Sequence, residues 1–386
     1  MTEIFLFIDA LGWEIAGRHR FLADLLPYRQ PLRMQFGYSC AAIPTLLSGR
    51  TPAEHGHLSL FRYAPEDSPF RTLARWAPLF KPAAFWERGR VRHQLSRLVK
   101  LAHGYTGYFQ LYNVPIWKLG HMDYCEKHDL FARHGLAPLE NLCDRLTAEQ
   151  VPFHISDWRR TDAANLAAGI SAVRGGARFL FLYTAQLDAL LHRHVRQPEI
   201  IEGKLRWYGD QIRQLLAAVR QITGGEARLT VVSDHGMSPL AHTVDIMAAV
   251  TRTGLVFGRD YGACYDSTMA RFYLPADAAA DGGESIRRAL AEFAQYGHFI
   301  TREEETALEI YRQDRRFGDL IFLLDPGVQI APSDMGRSAL AGMHGYTPED
   351  RDSTASLLST HPLPPQTTRF AQAFDLMIER ATALKG

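Results

Sequence analysis

Ile4-Phe5-Leu6-Phe7-Ile8-Asp9 opens the chain with five apolar residues in a row that end on a carboxylate, and Leu11 and Gly12 follow at once. A strand-length run without polar alternation reads as a strand covered on both faces, which is the habit of a parallel sheet with helices packed on either side. Arg178 to Tyr183 and Leu229 to Ser233 repeat the pattern. Between such runs lie helical stretches, Leu139 to Glu149 and Lys204 to Ile222. The second carries apolar residues at Leu205, Tyr208, Ile212, Leu215, Leu216 and Val219. Strands alternating with amphipathic helices imply βαβ units. The expected fold is therefore α/β, a three-layer α/β/α sandwich around a mainly parallel central sheet. Ligands of such sheets bind beyond the carboxyl ends of the strands, and Asp9, Asp188 and Asp234 all fall at or just past such ends.

Two regions interrupt this rhythm. The first, 61–134, is dense in aromatic and basic residues, among them Trp76, Phe85, Trp86, Arg88, Arg90, Arg97, Tyr108 and Trp117. It reads as an inserted aromatic-rich cap or lid. The second, 254–342, has short β-like pieces, Met269 to Leu274 and Gly318 to Leu324, and reads as a second insertion or small β subdomain. Pro275 to Glu284 reads as a polar surface loop. No internal repeat or low-complexity tract is present.

The 386 residues suit one large domain with insertions. An apolar fraction of 46% and a charged fraction of 22% are those of an ordinary globular protein, and 43 basic against 42 acidic residues argue against a nucleic-acid polymer as partner. The N-terminus lacks the basic start and long apolar core of a signal peptide, and no window approaches a membrane span. A cytoplasmic protein is the expectation. Cys40, Cys125, Cys143 and Cys264 show no paired spacing, so they read as reduced thiols rather than a disulfide framework or a cysteine zinc site.

The chemistry gathers in a few short stretches. Asp188 and His192, four apart, share a face if the chain turns into a helix there. Asp234-His235-Gly236 puts two adjacent ligand types at a strand end, where a bend at the glycine would let them serve neighbouring ions. His344-Gly345-Tyr346 adds another imidazole. Mixed carboxylate and imidazole ligands suit two divalent metal ions, Zn2+ first and Mn2+ next. Ser39 stands at the start of a predicted helix, where outward backbone N–H groups favour an anion. Two metals, a hydroxyl and an anion hole point to phosphoryl transfer. His194 and His242 read as surface or supporting groups, since six ligands already fill two sites.

This ordered set resembles the alkaline phosphatase superfamily, in particular its type I phosphodiesterase/nucleotide pyrophosphatase-like branch. Asp9 follows the first strand as that family's aspartate does; Ser39 stands ten residues before the glycine of Ser48-Gly49; Thr51-Pro52-Ala53-Glu54-His55-Gly56 matches its next segment; Ser233-Asp234-His235-Gly236-Met237 is intact; and His344 has the family's His-Gly-Tyr context. The resemblance implies a single catalytic domain over 1–386. One ion would be held by Asp188, His192 and His344, the other by Asp9, Asp234, His235 and the Ser39 oxygen. It also implies Ser39 as nucleophile, phosphorylated and then released by water, with the Cys40 backbone N–H as an oxyanion contact.

The chain departs from the branch in two places. Its nucleophile is Ser39 rather than threonine, and Leu60 occupies the register of an asparagine that contacts the phosphoryl group. His57, Ser59 and a residue from the aromatic insertion are the candidates for that contact, and Tyr346 is a further candidate for substrate binding. Cys40 does not make a sulfatase, because the Cys-x-Pro/Ala-x-Arg pattern is not met. The expected activity is metal-dependent hydrolysis of a small-molecule phosphate ester or diester, probing first for a phosphodiesterase or pyrophosphatase. Alternatives are a phosphomonoesterase and a phosphotransferase, whereas a binding module would need a lost ligand. The oligomeric state has no sequence signal, and a homodimer is compatible with everything above.

Overall fold

A computed structural model describes residues 1–275 and 279–385, without the side chains of 83, 84 and 279–281. The chain forms two compact units, one of 1–55, 130–239 and 340–386, the other of 56–129 and 240–339.

In the first unit the opening run forms strand β1, Thr2–Ile8, every residue of it buried. Alternation sends Ile4, Leu6 and Ile8 into one apolar core and Phe5 and Phe7 into another on the opposite face. The sheet continues with β2 (Tyr28–Leu32), β3 (Phe153–Ile155), β4 (Phe179–Thr184), β5 (Ala227–Ser233) and β6 (Ala355–Ser359). Its order is β2-β6-β5-β1-β4-β3. β1 runs parallel to β4 and β5, β3 is parallel to β4, and β6 is antiparallel to both its neighbours. The sheet is therefore mainly parallel, and its three central strands are those whose carboxyl ends carry the aspartates.

Helices cover both faces. Helix α1, Ser39–Ser48, places Ile43, Leu46 and Leu47 in the core with Phe5 and Phe7. Helices α2 (Asp162–Arg174), α3 (Gln186–His194) and α4 (Pro198–Thr223) feed the core of Ile4, Leu6 and Ile8 through Leu166, Leu187, Leu191, Tyr208, Ile212 and Leu215. The three-layer α/β/α arrangement follows from a sheet apolar on both sides.

The second unit holds the stretches 61–129 and 254–339 that break the rhythm. Gly262–Tyr265, Met269–Tyr273, Leu320–Leu324 and Gly297–Phe299 pair antiparallel into a four-stranded sheet. Phe61–Tyr63 and Met122–Tyr124 form a separate two-stranded ribbon. The surface loop expected over 275–284 is corrected: 276–278 lie outside the described residues, and from Ala279 the chain is a helix to Leu290. Ile286 and Leu290, four apart, are wholly buried and anchor it.

Glu3 is an ionisable group inside this frame. It sits in β1 opposite Arg228 of β5, with carboxylate oxygens 3.7 Å from Arg228 and 4.0 Å from Arg380. Burial outweighs both cations and pushes its carboxyl up to about 7. A raised folded value means that the protonated form is the one folding favours. Its contribution is complete below the ordinary glutamate range and is lost as pH rises through about 7. Glu3→Gln is expected to match the wild type near pH 5 and to gain roughly 1–3 kcal/mol over it by pH 8.5 in denaturant unfolding. An unchanged difference across that range would remove Glu3 as a pH-sensitive group.

Candidate functional site

Strands β1 and β5 end side by side, and each delivers the carboxylate that follows its last residue to the same point. Asp9 follows β1, and Asp234 and His235 follow β5. The turn after β5 must bend at once, because the loops approach backbone to backbone. A Cβ on Gly236 would lie 2.1 Å from the Asp352 carbonyl oxygen, and one on Gly12 would lie 2.4 Å from the Gly236 Cα. Only glycine fits at both positions.

β4 ends at Thr184 and the chain turns into α3, whose first turn carries Asp188 and whose next turn carries His192. That turn is held by a residue the sequence reading passed over. Asp162, buried at the start of α2, accepts from the Ala185 N–H (3.1 Å) and the Gln186 N–H (3.3 Å), and also from the Tyr208 hydroxyl, with Lys204 3.7 Å away. Thr161-Asp162 has the sequence of an ordinary helix start, and Thr161 does cap α2. Nothing in that pattern signals a second task.

The side chains form two overlapping groups. Asp9, Asp234 and His235 make one, and Asp188, His235 and His344 the other, the ligand atoms of each lying within 4.8 Å of one another. His235 Nε2 is 3.5 Å from Asp9 Oδ1 and 3.3 Å from Asp234 Oδ2, and His344 Nε2 is 3.6 Å from Asp188 Oδ1. His192 Nε2 is 3.4 Å from the same Asp188 oxygen. The arrangement differs from the division expected from sequence, because His235 stands in both groups. Its ring stacks on that of His344 with centroids 3.7 Å apart.

Hydrogen bonds fix which ring nitrogens face inward. His235 Nδ1 is 2.8 Å from the Gly236 carbonyl, and His192 Nδ1 is 2.9 Å from the Gly342 carbonyl. A carbonyl can only accept, so Nδ1 carries a proton in both rings, and in the neutral ring Nε2 presents its lone pair. Backbone partners of this kind orient metal-ligating histidines.

The fit to cations rests on what remains unpaired. Asp9 Oδ1, Asp188 Oδ1, Asp234 Oδ2, His235 Nε2 and His344 Nδ1 are buried without a hydrogen-bond partner. Buried polar atoms are nearly always satisfied, and here three of the five converge, with His235 Nε2 3.5 Å from Asp9 Oδ1 and 3.3 Å from Asp234 Oδ2. Tetrahedral zinc with oxygen and nitrogen ligands would set its ligand atoms about 3.3 Å apart. The donor set therefore fits divalent ions.

Electrostatics agree. Burial raises the Asp9 carboxyl well above its ordinary range, and the neighbouring Asp234 and Asp188 charges raise it further. Burial raises Asp234 too, against the pull of His235. Asp188 is pulled low, because His192, His344 and His235 together outweigh its burial. Burial drives His344 well below its ordinary value, helped by His235, so the ring stays neutral.

Ser39 is the first residue of α1, partly exposed. The Tyr38 carbonyl closes the first turn by accepting from the Ala41 and Ala42 N–H groups (2.7 and 3.0 Å), so the amides of Ser39 and Cys40 lie outside this closure. The Tyr38 ring meets that of His344 edge-on at 5.9 Å, which brings the helix start beside the ligand groups. Tyr346 is wholly buried. In the second unit His57 is half-buried, while Ser59 is buried and donates its hydroxyl to Asp266. Asp266 is itself 2.7 Å from the buried Arg271 guanidinium, so the Ser59 hydroxyl is committed to this network. His194 bonds Gln197 at 2.8 Å and His242 is exposed near Tyr296, both outside the two ligand groups.

A phosphoryl-transfer α/β protein is the class that this fold and edge define. The family described as type I phosphodiesterase/nucleotide pyrophosphatase matches residues 37–347, and the chain belongs to it. It is accordingly a phosphoric ester hydrolase of the alkaline phosphatase superfamily. Members of this family generally work with two divalent metals. Among solved structures, murine ectonucleotide pyrophosphatase/phosphodiesterase 5 is 13% identical with a TM-score of 0.65, and an inactive threonine-to-alanine form of it in complex with AMP is 12% identical with a TM-score of 0.66. The human protein is 11% identical with a TM-score of 0.66. Each alignment covers 99% of this chain and 95% of the other, a likeness of fold. No curated protein matches the sequence.

Two predictions follow from the geometry. Stripping metal with a chelator should lower the unfolding temperature by roughly 5–10 °C at pH 8. The gap should narrow toward pH 5. Asp9 and Asp234 have raised folded values, so their contribution in the stripped protein is complete below the ordinary aspartate range and is lost as pH rises. Cation binding supplies what the ionised carboxylates lack. Equal unfolding temperatures with and without metal at every pH would remove these groups as ligands. Separately, Asp162→Ala should cost about 1–3 kcal/mol by orphaning the buried Tyr208 hydroxyl and removing the acceptor of two part-buried N–H groups. Asp162→Asn, which keeps one acceptor, should cost less, and equal losses would contradict the assigned role.

Proposed function

We propose that the protein is a two-metal phosphodiesterase or pyrophosphatase that works through a phosphorylated Ser39. The observation that carries the reading is the convergence of buried, unpartnered ligand atoms from Asp9, Asp188, Asp234 and His235, joined by His344 Nε2, beside the start of α1. Asp188, His192 and His344 would hold one ion and Asp9, Asp234 and His235 the other, with His235 on their shared edge. Two divalent ions, Zn2+ by donor set, would supply Lewis acidity and neutralise charge on the transferring group when bound.

The chain's own residues do the rest. Ser39 Oγ attacks phosphorus in line, the bond to the leaving ester oxygen breaks, and water then cleaves the Ser39 phosphoester to regenerate the hydroxyl. The Cys40 amide, at the positive end of α1, donates to a phosphoryl oxygen. The backbone carbonyls of Gly236 and Gly342 hold His235 and His192 in the tautomers that leave Nε2 open. A substrate of the size of a nucleotide is supported by the AMP bound to the murine relative. Leu60, buried in this chain, offers no side-chain donor where the branch has an asparagine, so recognition of the phosphoryl group falls more heavily on the ions and on α1.

On the metal-loaded enzyme a chromogenic phosphodiester should turn over faster than the matching monoester, and Ser39→Ala should lose at least about 1,000-fold in kcat with metal content unchanged. Retained turnover in Ser39→Ala would remove the nucleophile assignment. Monoester preference would move the enzyme to the phosphatases. Product partitioning toward added alcohols would reassign it as a phosphotransferase.

A further inference from the structure

Residues 71–103 of the second unit carry eight Lys and Arg against one acid, Glu87, in a chain whose net charge is only +1. Glu87 is spent on Arg337. The same 33 residues hold five of the eleven large apolar side chains that are exposed among the described residues: Trp76, Leu79, Phe85, Leu98 and Leu101. Scattered exposed apolar residues need no explanation, but the concentration of both features in one short segment does.

The helix Gly89–Ala102 shows why the exposure is not an accident of loose packing. Its inner side is fastened: the buried Arg92 guanidinium donates to the carbonyls of Tyr112 (2.8 Å) and Val114, and Ser96 Oγ accepts from the Leu111 N–H at 3.0 Å. Val99 is buried on the same side. With that side held, helical spacing turns Arg90, Arg97, Leu98 and Leu101 outward together, and Leu98 and Leu101 are 64% and 80% exposed. Before this helix, Phe80, Trp86 and Phe85 form a chain of ring contacts at 4.7 and 5.3 Å, and the Arg88 guanidinium lies 5.6 Å over the Phe85 ring.

We infer that this segment is a docking surface for an anionic lipid bilayer, on which the protein lies without crossing it. Charge complementarity selects the occupant. Arg71, Arg75, Lys81, Arg88, Arg90 and Arg97 are exposed and offer a cationic field, and exposed tryptophan, phenylalanine and leucine beside cations are the composition of an interfacial helix. A second copy is disfavoured, because a two-fold contact would press this basic face against itself. Nucleic acid would use the cations and the rings but would leave Leu79, Leu98 and Leu101 without a role. No described helix is long and apolar enough to span a membrane, so attachment is peripheral. This inference does not depend on the activity assigned to Ser39.

The test is co-sedimentation of the full-length, metal-loaded protein with vesicles of phosphatidylcholine and phosphatidylserine, against pure phosphatidylcholine, at low and high salt. Binding is expected only to the anionic vesicles and is expected to weaken in high salt, where charges are screened. Arg90→Glu/Arg97→Glu and Leu98→Ser/Leu101→Ser should each reduce the partition coefficient roughly tenfold or more, while turnover of a soluble phosphoester stays at the wild-type level and reports intact folding. The inference is overturned by no partition into anionic vesicles at low salt, or by binding that is equal on neutral vesicles and indifferent to the arginine variant. Self-association abolished by the leucine variant, or capture of a soluble acidic protein, without vesicle binding would overturn it as well.

Discussion

Three carboxylates, Asp9, Asp188 and Asp234, are brought together out of water at the carboxyl edge of adjacent strands, and the cost of that gathering governs the rest of the first unit. Burying one ionised carboxylate without a partner is expensive, and burying several together adds mutual repulsion. The raised Asp9 and Asp234 values are the sign of it. The protein's own cations do not answer this charge: among the described residues no lysine or arginine ion pair reaches these three carboxylates, and the neighbours are imidazoles, of which His344 is held neutral. What these carboxylates lack is positive charge from the chain itself, and the family to which the chain belongs generally works with two divalent ions.

The scaffold is built to keep that unfavourable arrangement from relaxing. A carboxylate could escape its neighbours by moving the loop that carries it, and each loop is tied. The Ala10 N–H approaches Asp234 Oδ1 at 3.4 Å, and Gly12 and Gly236 are packed backbone against backbone. Asp162 clamps the turn ahead of Asp188, itself buried against Tyr208, whose hydroxyl it binds. Beneath the loops, β1 alternates aliphatic residues to one face and Phe5 and Phe7 to the other, so the edge stands on two filled cores. Preorganisation of this sort is what lets an electrostatic site act without reorganising when charge develops.

Much of this was legible in residues 4–9, 178–188 and 229–236, because central parallel strands are apolar throughout and end abruptly at the functional residue. The observed strands, Thr2–Ile8, Phe179–Thr184 and Ala227–Ser233, differ from the reading by one or two residues at their ends. β2 and β6 escaped it, since Tyr28-Arg29-Gln30-Pro31-Leu32 has the polar, proline-bearing sequence of an edge, and Ala355–Ser359 is too short to separate from a loop by pattern alone. The helix from Ala279 was hidden by glycine and aspartate at its start. His235's place in both ligand groups was hidden for another reason: spacing identifies ligands, but only the packing of one ring on another decides which atoms meet.

The second unit shows where a motif-based reading stops. Ser59 looked available to replace the missing asparagine by its position just after the His-Gly segment, yet its hydroxyl serves a buried network of Asp266 and Arg271, with the Arg271 guanidinium also donating to the Phe61 carbonyl (2.6 Å). A buried arginine needs several acceptors to offset its desolvation, and the chain next to the motif is recruited to provide them. Aromatic residues nearby divide in the same way. Phe70, Phe109 and Tyr124 pack together as a core, with Phe109 5.9 Å from Phe70 and 4.7 Å from Tyr124. Trp76 and Phe85, from the same stretch of sequence, remain exposed among cations. Composition alone treats these rings as equivalent, and the difference between them is set by whether the backbone that carries each ring is fastened inward or left at the surface.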